Sequence, residues 1–221
     1  MRFFSMLCFC FCLFTHVASA APVSEERLLA AGSDVDNWLS YGRDYSEQRF
    51  TPLGQINTEN IAELGMAWYF ETDTHLGLQS TPLAIDGVLY FSGAWNTVWA
   101  VDGASGEMLW KFDPQVPRSK SITACCGVLN RGLAAWEDLL YIGTLDGRLL
   151  AIERATGTLR WSAQTTDPNQ AYSITGAPRV ARGKVFIGNG GSEFGTRGFV
   201  TAYDAASGEL AWRFYTVPGN P

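Results

Sequence analysis

The 221-residue sequence predicts an all-β chain that forms the first three to four blades of a β-propeller, and three observations carry that expectation. Ala100-Val101-Asp102-Gly103-Ala104-Ser105-Gly106-Glu107-Met108-Leu109-Trp110 recurs from Ala151 through Gly157 to Trp161, and again from Ala202 through Gly208 to Trp212, with 51 residues between successive tryptophans. Before each copy stands a β-patterned run bounded by Gly, Pro or Asp, namely Leu83 to Ser92, Leu133 to Gly143 and Val180 to Gly188. The composition, 13% aromatic with 23 glycines and only 17% charged, suits a β-rich globular chain better than disorder. A strand-built unit of this length, with a tight Ser-Gly or Thr-Gly turn before a Trp, is the signature of propeller blades.

In chain order, residues 1–20 read as a secretory signal. Arg2 is the basic start, Phe3 to Phe14 the apolar run, and Ala18-Ser19-Ala20 the small residues of a cleavage site. The run is shorter than the ~20 residues that span a bilayer, so no membrane span is expected after cleavage. Residues 21–221 are then the partial propeller domain, periplasmic by this reading. Asn37 to Phe70, with Trp38, Tyr41 and Trp68, reads as a leading segment plus an isolated outer strand. In each repeat the residues before Asp102, Glu153 or Asp204 form one strand, the Gly-containing pair a hairpin turn, and the Trp strand the next. The tryptophans are expected to dock between blades as core area, without chemistry. Three repeats fall short of a ring of ~4–8 blades, so the chain is expected to be a fragment. The formal charge is −6, and 15 basic face 22 acidic residues after Ala20, which disfavours a nucleic-acid partner.

Four features offer chemistry. Cys125 and Cys126 are adjacent and are the only cysteines after the signal. In an oxidising compartment they read as a vicinal disulfide, with two buried thiols or bridges to another chain as alternatives. Gly188-Asn189-Gly190-Gly191-Ser192-Glu193-Phe194-Gly195 brings backbone close to a ligand, and Glu193 offers hard oxygens to a cation such as Ca²⁺. The plain alternative is a hairpin loop with a Glu193–Arg197 surface pair. Arg131 offers a bidentate fork and Thr175 a hydroxyl, though either residue taken alone is more often a surface group. His75 reads as a solvated loop residue, and no Cys-x-x-Cys-His haem motif or Gly-x-Ser-x-Gly elbow occurs.

Cys125-Cys126 with Asn130-Arg131-Gly132, the loop Gly191-Ser192-Glu193-Phe194-Gly195, Tyr41-Gly42-Arg43-Asp44-Tyr45 and the Trp repeat together resemble the PQQ-dependent alcohol dehydrogenases of the methanol and ethanol dehydrogenase type, from about Trp38 to Pro221. The resemblance implies an eight-bladed propeller with PQQ on its axis beside Ca²⁺ or a lanthanide. It also implies oxidation of primary alcohols, with electrons passing to a c-type cytochrome or a quinone-linked acceptor. Carried over, Cys125 and Cys126 form a disulfide plate under PQQ, Arg131, Thr175, Gly191 and Ser192 hold its polar edge, and Glu193 ligates the metal. Gln79 stands where the family usually has Glu, which keeps a hydrogen bond and removes a charge. Ser192 stands where Ala is commoner. The catalytic base and second metal ligand are expected beyond Pro221. The competing reading is a cofactor-free propeller scaffold of the outer-membrane assembly type, whose members lack the adjacent cysteines and the Gly-Ser-Glu-Phe-Gly loop.

Overall fold

The computed structural model describes residues 21–124 and 126–219. The signal reading of residues 1–20 and the pairing of Cys125 lie outside them. Each repeat builds one four-stranded antiparallel sheet, with its strands side by side in chain order. Blade 1 consists of β1 (Leu83–Ile85), β2 (Val88–Ser92), β3 (Val98–Asp102) and β4 (Met108–Phe112). Blade 2 has β5 (Ala134–Trp136), β6 (Leu139–Gly143), β7 (Arg148–Glu153) and β8 (Leu159–Gln164). Blade 3 has β9 (Arg179–Ala181), β10 (Lys184–Gly188), β11 (Phe199–Asp204) and β12 (Leu210–Tyr215). Each β-patterned run is thus an inner hairpin, closed at Asp86-Gly87 and Arg182-Gly183 by two residues of positive φ, as a right-twisted two-residue turn requires.

The third strands, β3, β7 and β11, are buried along nearly their whole length, whereas the outer strands β4, β8 and β12 are largely exposed. Blades stacked face to face cover both faces of an inner strand, which is why Val98 to Val101 and Leu149 to Ile152 are apolar without alternation. A register shift falls after Ala100, Ala151 and Ala202, so even the bulge obeys the repeat.

Two of the three repeat tryptophans, Trp110 and Trp161, dock between blades as expected, whereas Trp212 is exposed. Trp110 Nε1 donates to Arg154 O of blade 2 at 3.0 Å, and Trp161 Nε1 to Ala205 O of blade 3 at 3.0 Å. Each indole lies on the next blade's turn glycine: a Cβ on Gly157 would stand 2.7 Å from Trp110, and one on Gly208 2.7 Å from Trp161. Trp68 does the same to blade 1, donating to Gly103 O at 3.2 Å. Its segment is assigned to no strand, so the isolated outer strand expected here is present as a docked ring only.

Residues 21–31 strap blades 1 and 2 together. Val23 bridges Glu137, Arg27 pairs with Asp86 at 2.8 Å, and Arg154 donates to Ala21 O at 2.7 Å. Helix α1 (Glu25–Leu29) buries Leu28 beneath this strap. Trp38 pairs with Ala84 and leads the chain along the inner edge of β1. Among the described residues no helix is long and apolar enough to cross a membrane.

Candidate functional site

The segments entering β1, β5 and β9 lie next to one another at the inner edges of the blades, where backbone hydrogen bonds join them. Thr81 N donates to Arg131 O at 3.1 Å, and Arg131 N donates to Thr175 O at 3.0 Å. Arg131 and Thr175, which lie 44 residues apart, therefore meet directly, with Arg131 Nη1 donating to Thr175 Oγ1 at 2.5 Å. A half-buried guanidinium held this way keeps its remaining donors for a planar anion. A shallow cavity of about 440 Å³ opens here, lined by Arg131, Gly176 and Ala177 together with Tyr41 and Arg179. Two cations lie over the Tyr41 ring, the guanidinium carbons of Arg49 and Arg179 each 4.3 Å from its centroid. Arg179 is neutralised by Glu47, while Arg49 donates to Thr81 Oγ1 at 3.2 Å.

Gln79 and Cys126 are brought together elsewhere on the same inner surface. Both are exposed and line one cavity of about 120 Å³ with Leu76, Ala94 and Val128. Gly77, Gly127 and Gly176 leave open space where side chains would stand.

The glycine loop is tied back to the segment entering β9 through Ser173, two residues before Thr175. Gly190 N donates to Ser173 O at 2.7 Å, and Ser173 N to Gly190 O at 3.3 Å. Gly191 has φ of +113°, and a Cβ there would meet Ala171 O at 2.5 Å and Thr196 Oγ1 at 2.7 Å, so only glycine fits. The turn presents Ser192 and Glu193 outward, with Ser192 Oγ 3.4 Å from Glu193 Oε2. Arg197 turns instead toward β12, its guanidinium 3.9 Å from the Tyr215 ring centroid and donating to Val217 O at 2.8 Å. His75 is exposed, as expected of a loop residue.

Sequence reasoning left several residues of this surface without a role. Asn130 was part of the quoted motif, yet its buried hydrogen bonds reach 38 residues back to Ser92. Tyr41 and Arg179 meet only because the leading segment runs beside blade 3.

The donor set at Arg131 and Thr175 suits an anionic group. The surface has a cationic fork and a hydroxyl at the inner edges of the blades, open ground over glycines, and a backbone turn without side-chain bulk. For a metal the set is partial. Among the described residues no group of three His, Cys, Asp or Glu side chains could hold an ion, and Glu193 alone supplies fewer than the six to eight oxygens Ca²⁺ takes.

A PQQ family profile, described as glucose/ethanol/alcohol dehydrogenase, beta-propeller domain, matches residues 38–221. The quinohemoprotein alcohol dehydrogenase ADH IIB of Pseudomonas putida is 57% identical over 211 residues, which cover 95% of this chain and 31% of that protein. The structure of the ADHIIG enzyme from the same organism superposes with a TM-score of 0.88 at 49% identity, covering 91% of this chain and 30% of its own. A europium-containing methanol dehydrogenase superposes at 0.82 with 34% identity, covering 86% of this chain and 34% of its own. The chain thus spans about a third of the length of these relatives. On the profile match, the identity and the shared blades, the chain belongs to the glucose/ethanol/alcohol dehydrogenase β-propeller family.

Proposed function

We propose that the full-length protein bearing this chain is a periplasmic, PQQ-dependent dehydrogenase of primary alcohols, secreted through residues 1–20. The observation that carries this reading is the Arg131–Thr175 fork, fixed at the inner edges by backbone bonds to two neighbouring blades. PQQ, when bound, would supply a quinone as the hydride acceptor for alcohol oxidation. Arg131 and Thr175 hold an anionic edge of the cofactor, and Gln79 donates a hydrogen bond without adding charge. Gly191 and Ser192 offer close backbone and a hydroxyl. Cys125 and Cys126, if joined as a vicinal disulfide, would supply a flat face to the cofactor. Glu193 is one ligand of a Ca²⁺ or lanthanide ion, whose other ligands, like the catalytic base, belong to sequence beyond Pro221. Electrons then leave to a c-type cytochrome or a quinone-linked acceptor.

The test is reconstitution of the full-length protein with PQQ and Ca²⁺, followed by dye reduction with ethanol. Glu193→Ala abolishes metal-dependent turnover and leaves folding and secretion intact. A solvated glutamate in an exposed pair contributes only about 0–1 kcal/mol, so retained activity at ordinary metal levels rejects Glu193 as a ligand. Thiol titration of the denatured, unreduced protein finds none free; one or two reactive thiols remove the disulfide plate from this reading.

A further inference from the structure

We propose that Asn130, acting with Ser92 and Ser80, is the positioning residue of the cofactor cradle: it holds Arg131 in place and couples that placement to the Gln79 side of the site. The inference rests on the quinone reading above. Asn130 is 1% exposed, and its amide is engaged in three directions. Its Oδ1 accepts from Ser92 Oγ at 2.6 Å and from Gly132 N at 2.9 Å, while Nδ2 donates to Gly143 O at 2.9 Å. Ser92 ends β2 of blade 1 and Gly143 ends β6 of blade 2, so one side chain joins both blades directly beside Arg131. With Gly132 N held by Asn130 and the N and O of Arg131 held by Thr175 and Thr81, the backbone on both sides of Arg131 is fixed. On the other side, Ser92 N donates to Ser80 Oγ at 3.1 Å and the two hydroxyl oxygens lie 3.2 Å apart. Ser80 follows Gln79 directly, so a chain of hydrogen bonds, part-buried at Ser80 and buried at Asn130, runs from the neighbour of one proposed cofactor contact to the neighbour of the other.

Asn96 provides the internal control. It is also fully buried and donates to the same Gly143 O, at 3.3 Å, but its Oδ1 accepts from Leu145 N at 2.9 Å, and among the described residues its side chain is tied to the Arg131 segment only through that shared carbonyl. A purely structural amide acts as Asn96 does, on stability. A positioning amide acts on PQQ affinity through Arg131, because small displacements of a ligand-holding group are costly.

The experiment is a double-mutant cycle on the full-length apo protein, with the Kd for PQQ read by equilibrium dialysis and folding read by thermal melting. Asn130→Ala raises the Kd about tenfold in the native background but less than about twofold when Arg131 is already Ala, because the two residues act as one unit. Asn96→Ala lowers the melting temperature, and any change it makes in Kd is the same with or without Arg131. Ser92→Ala, which removes only one donor to Asn130, gives the same dependence on Arg131 at about threefold and decides the matter if Asn130→Ala does not fold. An equal Kd effect in both Arg131 backgrounds, or a stability loss with Kd unmoved, overturns the positioning role. Failure of the unsubstituted protein to bind PQQ overturns the quinone reading itself, and the positioning role with it.

Discussion

Trp161 and Trp212 occupy the same position in successive blades, yet their surroundings differ by one half. Each ring meets an aromatic residue of its own second strand, Tyr141 at 5.8 Å and Phe186 at 5.9 Å. Only Trp161 is also covered by a following blade, whose Gly208 lies under the indole and whose Ala205 O accepts its N–H. Trp212 is 45% exposed. The burial of a propeller tryptophan is therefore supplied jointly, by its own blade and by the glycine turn of the next. Trp161→Ala removes a ring held from both sides and costs about 3–5 kcal/mol. Trp212→Ala in the same chain costs less than about 1 kcal/mol, as surface substitutions do. Urea midpoints of the two variants check the comparison, and equal losses break it. In the full-length protein the cost at Trp212 rises toward that at Trp161 if a further blade places a glycine turn over it.

The turn glycines sharpen the same contrast from the other side. Gly157 has φ of +72° and lies against Trp110, while Gly183 has φ of +68° with nothing within 4 Å of an added Cβ. Gly183→Ala therefore bears only the left-handed backbone, about 1–2 kcal/mol. Gly157→Ala adds displacement of a docked ring, a further ~1–3 kcal/mol. Unfolding midpoints measured side by side separate the two contributions, and a Gly183 variant as unstable as the Gly157 variant refutes the role given to the indole.

What could be read in advance follows the range of the interactions. Strands, turns and the docking tryptophans were legible because each is set within one repeat and the repeat occurs three times. Arg131 and Thr175 were legible singly, as residue types in motifs, but their mutual hydrogen bond spans 44 residues and depends on how blades 2 and 3 abut. Asn130 was invisible as a positioning group, because an asparagine before an arginine carries no sign of a serine in another blade. The strap of residues 21–31 was missed for the same reason: Arg27 and Arg154 look like ordinary surface charges until Asp86 and Ala21 O are seen between the blades. The isolated outer strand expected near Trp68 was half legible, since its docked ring is present but no strand is assigned there.

The smallest expected effect distinguishes the turns themselves. All three close with a backbone bond from the turn glycine, Gly106 to Asp102 at 2.9 Å, Gly157 to Glu153 at 2.8 Å and Gly208 to Asp204 at 2.9 Å. In blade 1 the Asp102 carboxylate also accepts from the Ala104 and Ser105 amides and the Ser105 hydroxyl, at 2.8–3.0 Å, and in blade 3 Asp204 repeats this with Ala206 and Ser207 at 3.1 Å. Glu153 of blade 2, one methylene longer, reaches out to Arg160 instead, at 3.0 Å. The Ser105 amide and hydroxyl hold the Asp102 carboxyl below its ordinary value, and Lys184, with Ser207, does so for Asp204. A carboxyl whose folded value is depressed stabilises fully above the ordinary carboxylate range, near about 4, and loses that contribution as pH falls through the folded value. Asp102→Asn and Asp204→Asn keep the acceptor and remove the charge, so each variant is less stable than the parent at pH 7 and the gap closes as the pH is lowered below about 4. Urea midpoints at pH 7, 5 and 3 read this directly, and a gap that persists unchanged at pH 3 shows that the carboxylate's charge is not what stabilises these turns.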